Sequence, residues 1–285
     1  MKKILLGAAA LSALSLASAA SAQEFSTGYV GASYSTINTG DSTSNPKTSD
    51  ANIFAVRGVA SFDLAKNLEV QLDGDVASVD LGIPSVNNVT VWGPTAHLFM
   101  DKDGNKAGAF LGYVDAGDSS VTAYGLEGRI AASDNISLGA VAGWGSANSK
   151  GTSYNTDLRV YRGEASYFVN DNARIDVSYS NFRTSSSVNG SHSRDTTAVF
   201  GLSGEFQPMS LPVSFTVGYE RPTNSGSSYD AFSVGVRHSF GGTLKDRDRK
   251  SSPFHGVLDN NGGASGVLGA ALNGADFSNN CHSVC

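Results

Sequence analysis

Charged residues two positions apart carry most of the chemistry that this sequence offers. Glu127 and Arg129, Arg162 and Glu164, and Arg174 and Asp176 all share that spacing. In an extended strand, residues i and i+2 point to one face, so each pair is aimed into a common space. The same phase, followed along the chain, adds Arg57, Glu69, Asp73, Asp75, Glu205, Glu220 and Arg237. Every base in the set is arginine, whose planar fork pairs with carboxylates bidentately and keeps its charge. Such residues can tie neighbouring strands together across a narrow interior. They can also form opposed acidic and basic walls that orient charged or dipolar solutes. The excess of acids over bases predicts a weak preference for cations.

Other groupings promise less. Asp101-Lys102-Asp103-Gly104-Asn105 begins like a calcium loop, with oxygen donors at alternate positions. Lys106 stands where that loop needs glycine and Gly112 where it needs glutamate, so the segment reads as a turn. His97 and His238 fall in the apolar phase of their strands, near the ends. His192 lies in Ser191-His192-Ser193-Arg194-Asp195, but adjacent Ser, His and Asp rarely make a triad, because the groups must converge from separate elements. No catalytic residue is expected. Cys281 and Cys285, with His282 between them, read as a small-loop disulfide in an oxidising compartment, with free thiols or intermolecular pairing as alternatives. Two Cys and one His leave a metal's fourth ligand unassigned, and neither metal nor cofactor is expected.

The elements that must position the charged residues are strands. Ile53-Phe54-Ala55-Val56-Arg57-Gly58-Val59-Ala60-Ser61-Phe62 places Phe54, Val56, Ala60 and Phe62 on one face and Arg57 and Ser61 on the other. Alternation of this length, closed by Asn, Asp, Gly or Pro, recurs twelve times, near 27–37, 52–63, 68–79, 89–100, 107–116, 120–132, 136–146, 157–169, 173–183, 196–207, 212–221 and 229–240. Short turns such as Leu64 to Asn67, Asp101 to Lys106, Ser133 to Asn135 and Asn170 to Asn172 alternate with longer links. The longest are Asn38 to Ala51, Asn148 to Thr156 and Thr184 to Asp195; Gly117-Asp118-Ser119 is a short exception. The smoother, more aromatic phase includes Leu68/Val70/Leu72, Tyr124/Leu126/Ile130 and Phe232/Val234/Val236. The opposite phase, rich in Gly, Ser and charge, is too polar for a dry core. This inverts a soluble sandwich and predicts an all-β, transmembrane, antiparallel up-and-down barrel of twelve strands. Mean hydropathy of −0.14 agrees, because a polar lumen face dilutes the apolar one.

Met1-Lys2-Lys3, the apolar run Ile4 to Leu16 and the Ala20-Ser21-Ala22 cleavage pattern read as a signal peptide over 1–22, with the mature chain starting near Gln23. The barrel then occupies 23–240 and a flexible tail 241–285. Formal net charge is −6, which argues against nucleic acid as a partner.

Phe232-Ser233-Val234-Gly235-Val236-Arg237-His238-Ser239-Phe240 resembles the aromatic-ended last strand by which outer-membrane barrels are recognised for assembly. The following Gly241-Gly242-Thr243-Leu244-Lys245-Asp246-Arg247-Asp248-Arg249 resembles the segment after the last strand in porin-like outer-membrane proteins of alphaproteobacteria. The resemblance implies export through the periplasm, insertion into the outer membrane by the barrel assembly machinery, contact with lipid and lipopolysaccharide, and a porin role for small solutes. It assigns no binding residue and no oligomeric state. Typical barrels end at the aromatic, whereas this chain runs on for 45 residues. Two functions are therefore expected in order: a channel for passive diffusion of small hydrophilic solutes or ions, or a closed structural or surface-interaction barrel without transport.

Overall fold

A computed structural model of the chain describes residues 24–39, 51–80, 88–117, 119–149, 155–188, 191–209, 211–223 and 229–251. The segment 1–22 read as a signal peptide, Cys281, Cys285 and most of the Asn38 to Ala51 link lie outside the described residues.

The strands are β1 (Glu24–Thr39), β2 (Ala51–Ala65), β3 (Leu68–Asp80), β4 (Val89–Lys102), β5 (Asn105–Asp115) and β6 (Ser119–Ser133), then β7 (Ile136–Ser149), β8 (Asn155–Asn170), β9 (Ala173–Val188), β10 (Ser191–Phe206), β11 (Val213–Pro222) and β12 (Tyr229–Phe240). They form one closed barrel in which each strand pairs with its neighbours in sequence and β12 returns to β1. The closing seam is antiparallel, from Gly28 opposite Phe240 to Thr39 opposite Tyr229. Closure leaves no sheet edge to satisfy, as a spanning β-structure requires.

The expected inversion of polarity is present. Along β6, Tyr124, Leu126 and Ile130 are exposed while Glu127 and Arg129 are buried. Around the outside, Trp92, Leu98, Met100, Leu111, Val217, Phe232 and Val234 are all exposed. A continuous apolar outer face is a surface made for hydrocarbon. Aromatic groups mark both of its rims. Phe25 packs edge-on against Phe62 and Phe240 at the short-turn end, and Trp92 packs edge-on against Tyr113 at the other.

One expectation about the connections changes and one holds. The Thr184 to Asp195 link is not a long loop, because β9 and β10 continue through it and leave only residues 189–190 between them. The calcium-like segment is a tight hairpin turn: Asp103 and Gly104 both have positive φ (56° and 77°), the geometry of a two-residue type I′ connection.

The tail also departs from a flexible start. Beyond Phe240, Leu244–Ser251 forms a helix, α1. A capping box begins it. Thr243 Oγ1 accepts from the Asp246 amide at 3.0 Å, while the Asp246 carboxylate accepts from the Thr243 amide at 3.1 Å.

Candidate functional site

Strand phase puts all the ionisable residues expected on the polar face inside the barrel, buried or half-buried. Their pairing is richer than i, i+2 contacts. Arg57 donates to Asp75 on the adjacent strand at 2.6 Å. Arg162 and Glu164 pair at 3.0 Å, and Arg174 and Asp176 at 3.1 Å, as their spacing suggests. Glu127 and Arg129 turn instead to different partners, Glu127 to His97 and Arg129 to Glu164. The Arg129–Glu164 pair reaches from β6 to β8 over β7, where Gly139 makes room. A Cβ there would lie 2.8 Å from the Glu164 side chain. Glu205 similarly gathers Arg174 at 3.0 Å, Arg237 at 2.9 Å and the Ser214 hydroxyl.

Two inner residues were misread in sequence. His97 is not interfacial: it is 1% exposed, inside the lumen, with Nδ1 2.7 Å from Glu127 and Nε2 3.4 Å from Asp73. Gln71 donates to the other Asp73 oxygen at 2.8 Å and accepts from Ser61. Both phases of β4 are largely apolar, so alternation alone could not assign this histidine. Lys106, read as part of a turn, opens β5 and points inward, 3.6 Å from Asp101 and over the Phe99 ring. The inner bases are therefore not arginine alone. His238 does lie outward, its ring tilted against that of Phe240. His192 pairs through its backbone with Ser187, and its side chain lies outside the described residues.

The lumen is not polar throughout. In its long-loop half, Ile53, Ala55, Val79, Val91, Val121, Leu158, Val160, Phe182 and Val199 face inward and form one apolar cluster. This corrects the expectation of a uniformly polar inner face. Charge is concentrated towards the short-turn half, where the inward Phe99, Phe110 and Phe168 also sit.

α1 lies across the short-turn mouth. It leaves the end of β12 and reaches the opposite wall, where Arg249 donates to the Ser133 carbonyl and its backbone approaches Gly104. Lys245 contacts Asn135 at 3.1 Å and Asp171 at 3.4 Å; Arg247 donates to Gln207 at 2.9 Å. Asp248 enters deepest, at 2% exposure. One of its carboxylate oxygens faces Arg129 and, at 3.8 Å, Arg174; the other accepts from Ser137. Burial alone would raise this carboxyl group, but Arg129 and then Arg174 outweigh it and hold it below the ordinary carboxylate range. Beside Arg249, a cleft of about 600 Å³ runs between the β2–β3 and β4–β5 turns down to Glu69, with Asp63, Asp101 and Asp103 on its walls.

Solved barrels share this architecture. The COG4313 outer membrane channel from Pseudomonas putida F1 superposes with a TM-score of 0.57 at 10% identity, covering 75% of this chain and 96% of that one. The NanC porin gives 0.52 at 7% identity, covering 73% and 98%. The KdgM porin in complex with disordered oligogalacturonate gives 0.50 at 9%, covering 75% and 99%. At such identities the likeness is one of fold. No family model and no curated protein sequence matches the chain.

Proposed function

We propose that the chain is an outer-membrane channel for passive diffusion of small hydrophilic solutes or ions. The short-turn end would face the periplasm, as in single-chain barrels with both termini inside. The observation that carries this reading is the inverted polarity: an apolar exterior around an interior lined by arginines and carboxylates. One oxygen each of Glu69, Asp101 and Asp176 is buried without a hydrogen-bond partner. A dry interior would leave these polar atoms unmet, so they favour a wet passage. The likeness in fold to channel and porin barrels supports the same conclusion.

A second reading, a barrel closed to solutes, is favoured by the apolar cluster across the long-loop half. Liposome swelling separates the two. With folded full-length protein in the membrane, we expect arabinose to drive swelling faster than raffinose. Equal and negligible rates for both sugars would favour the closed barrel.

A further inference from the structure

We propose that the short-turn mouth of the lumen contains a binding site for small organic carboxylates, and that Asp248 of α1 is its resident occupant. The proposal deepens the channel reading and rests on it for the route by which a solute arrives.

The wall of this region supplies four linked arginines, Arg129, Arg162, Arg174 and Arg237, and three carboxylates, Glu164, Asp176 and Glu205. A fourth carboxylate comes from outside the barrel strands. Beside Arg247, which bonds Gln207 and the Gly242 carbonyl and comes within 4.0 Å of Glu205, α1 supplies Asp248. Its surroundings are those of a recognised carboxylate. One oxygen meets guanidinium groups from β6 and β9, and the other meets a hydroxyl from β7. Charge-assisted bonds to both oxygens fix a carboxylate by position as well as by charge.

The occupant is also removable, as the wall is not. α1 has eight residues, too few to persist as a helix without its docking contacts. It is joined to β12 only through Gly241, Gly242 and Thr243, and both glycines have positive φ. When α1 leaves, Arg129, Arg174 and Ser137 lose the carboxylate they hold, and a carboxylate solute can take its place. Asp248 therefore competes with the solute and lowers its apparent affinity by the fraction of time that the site is filled.

Calorimetric titration of sodium succinate into the detergent-folded full chain tests this. Asp248→Ala should bind roughly tenfold more tightly than the native chain, because the competitor is gone and the cradle remains. Thr243→Ala, which weakens the helix cap and touches no arginine of the wall, should gain part of that increase. Adding Arg174→Gln to Asp248→Ala should abolish it. Equal succinate affinities in the native chain, Asp248→Ala and Thr243→Ala would overturn the proposal, as would a gain that survives Arg174→Gln. An equal gain for sodium sulfate would overturn the assignment to carboxylates. Heat-modifiable gel mobility scores folding, and Thr243→Ala carries the comparison if Asp248→Ala does not fold. Succinate binding by a barrel that never conducts would keep this site and remove the channel reading; conductance without the affinity gain would do the reverse.

Discussion

Two inner side chains separate the tasks of the lumen charges. Arg162 pairs with Glu164 at 3.0 Å on the inner face of β8, so its charge is felt by an ion that passes along that wall. Arg162→Glu should move the reversal potential in a salt gradient towards cation selectivity; an unchanged potential would remove Arg162 from the ion path. His97 has a different task, because it separates two buried carboxylates, Asp73 and Glu127. His97→Ala leaves both without their shared partner and should destabilise the barrel by about 3–5 kcal/mol, read by urea unfolding in lipid vesicles. A loss below ~1 kcal/mol would show that the trio is solvated and contributes little. Arg57, Arg174 and their neighbours were legible in sequence because a strand's period of two assigns a face to every residue. His97 was not, because Val91, Thr95 and Phe99 make its phase look as apolar as Trp92, Ala96 and Leu98. Lys106 was missed for another reason: β5 begins two residues earlier than its alternation suggests.

Strand packing depends on absent side chains as much as on present ones. Phe110 lies inward against Gly125 and Gly143, and a Cβ on Gly125 would sit 2.6 Å from its ring and 2.3 Å from the Ala142 carbonyl. Gly125→Val should therefore force β6 and β7 apart and abolish the heat-modifiable, folded band on gels. A native mobility shift would mean that the strands accommodate the added bulk. α1 depends on its surroundings in the opposite sense, being held by partners it does not carry. Asp248 faces Arg129 on β6, Ser137 on β7 and Arg174 on β9, with Lys106 on β5 also acting on its charge. Its docked carboxyl titrates below the undocked value near 3.9, so its contribution is complete above that value and is lost as pH falls through the docked one. Conductance should accordingly rise on acidification below about pH 4, and by less in Asp248→Asn. Equal responses would assign the change to other carboxylates. The strands and their order were readable from alternation and turns. α1 was not, because Leu244 is the only large apolar residue in a polar segment, and its docking partner Ser137 lies 111 residues away in sequence.

As a whole, the molecule is a barrel with two unlike halves inside one apolar wall. The short-turn half is charged, crossed by α1 and flanked by an acidic cleft; the long-loop half is lined by aliphatic side chains. Twelve strands stand between barrels filled by side chains and those that hold a broad aqueous channel, so residue size and one short helix decide whether solutes pass. Single-channel recording of the refolded full-length chain in a planar bilayer, beside Asp248→Ala, addresses this most directly. We expect discrete, reproducible steps from the native chain, with larger or more frequent steps once the Asp248 contact is removed. Silence from both proteins, when both are shown to be folded, would contradict a channel and leave a closed barrel.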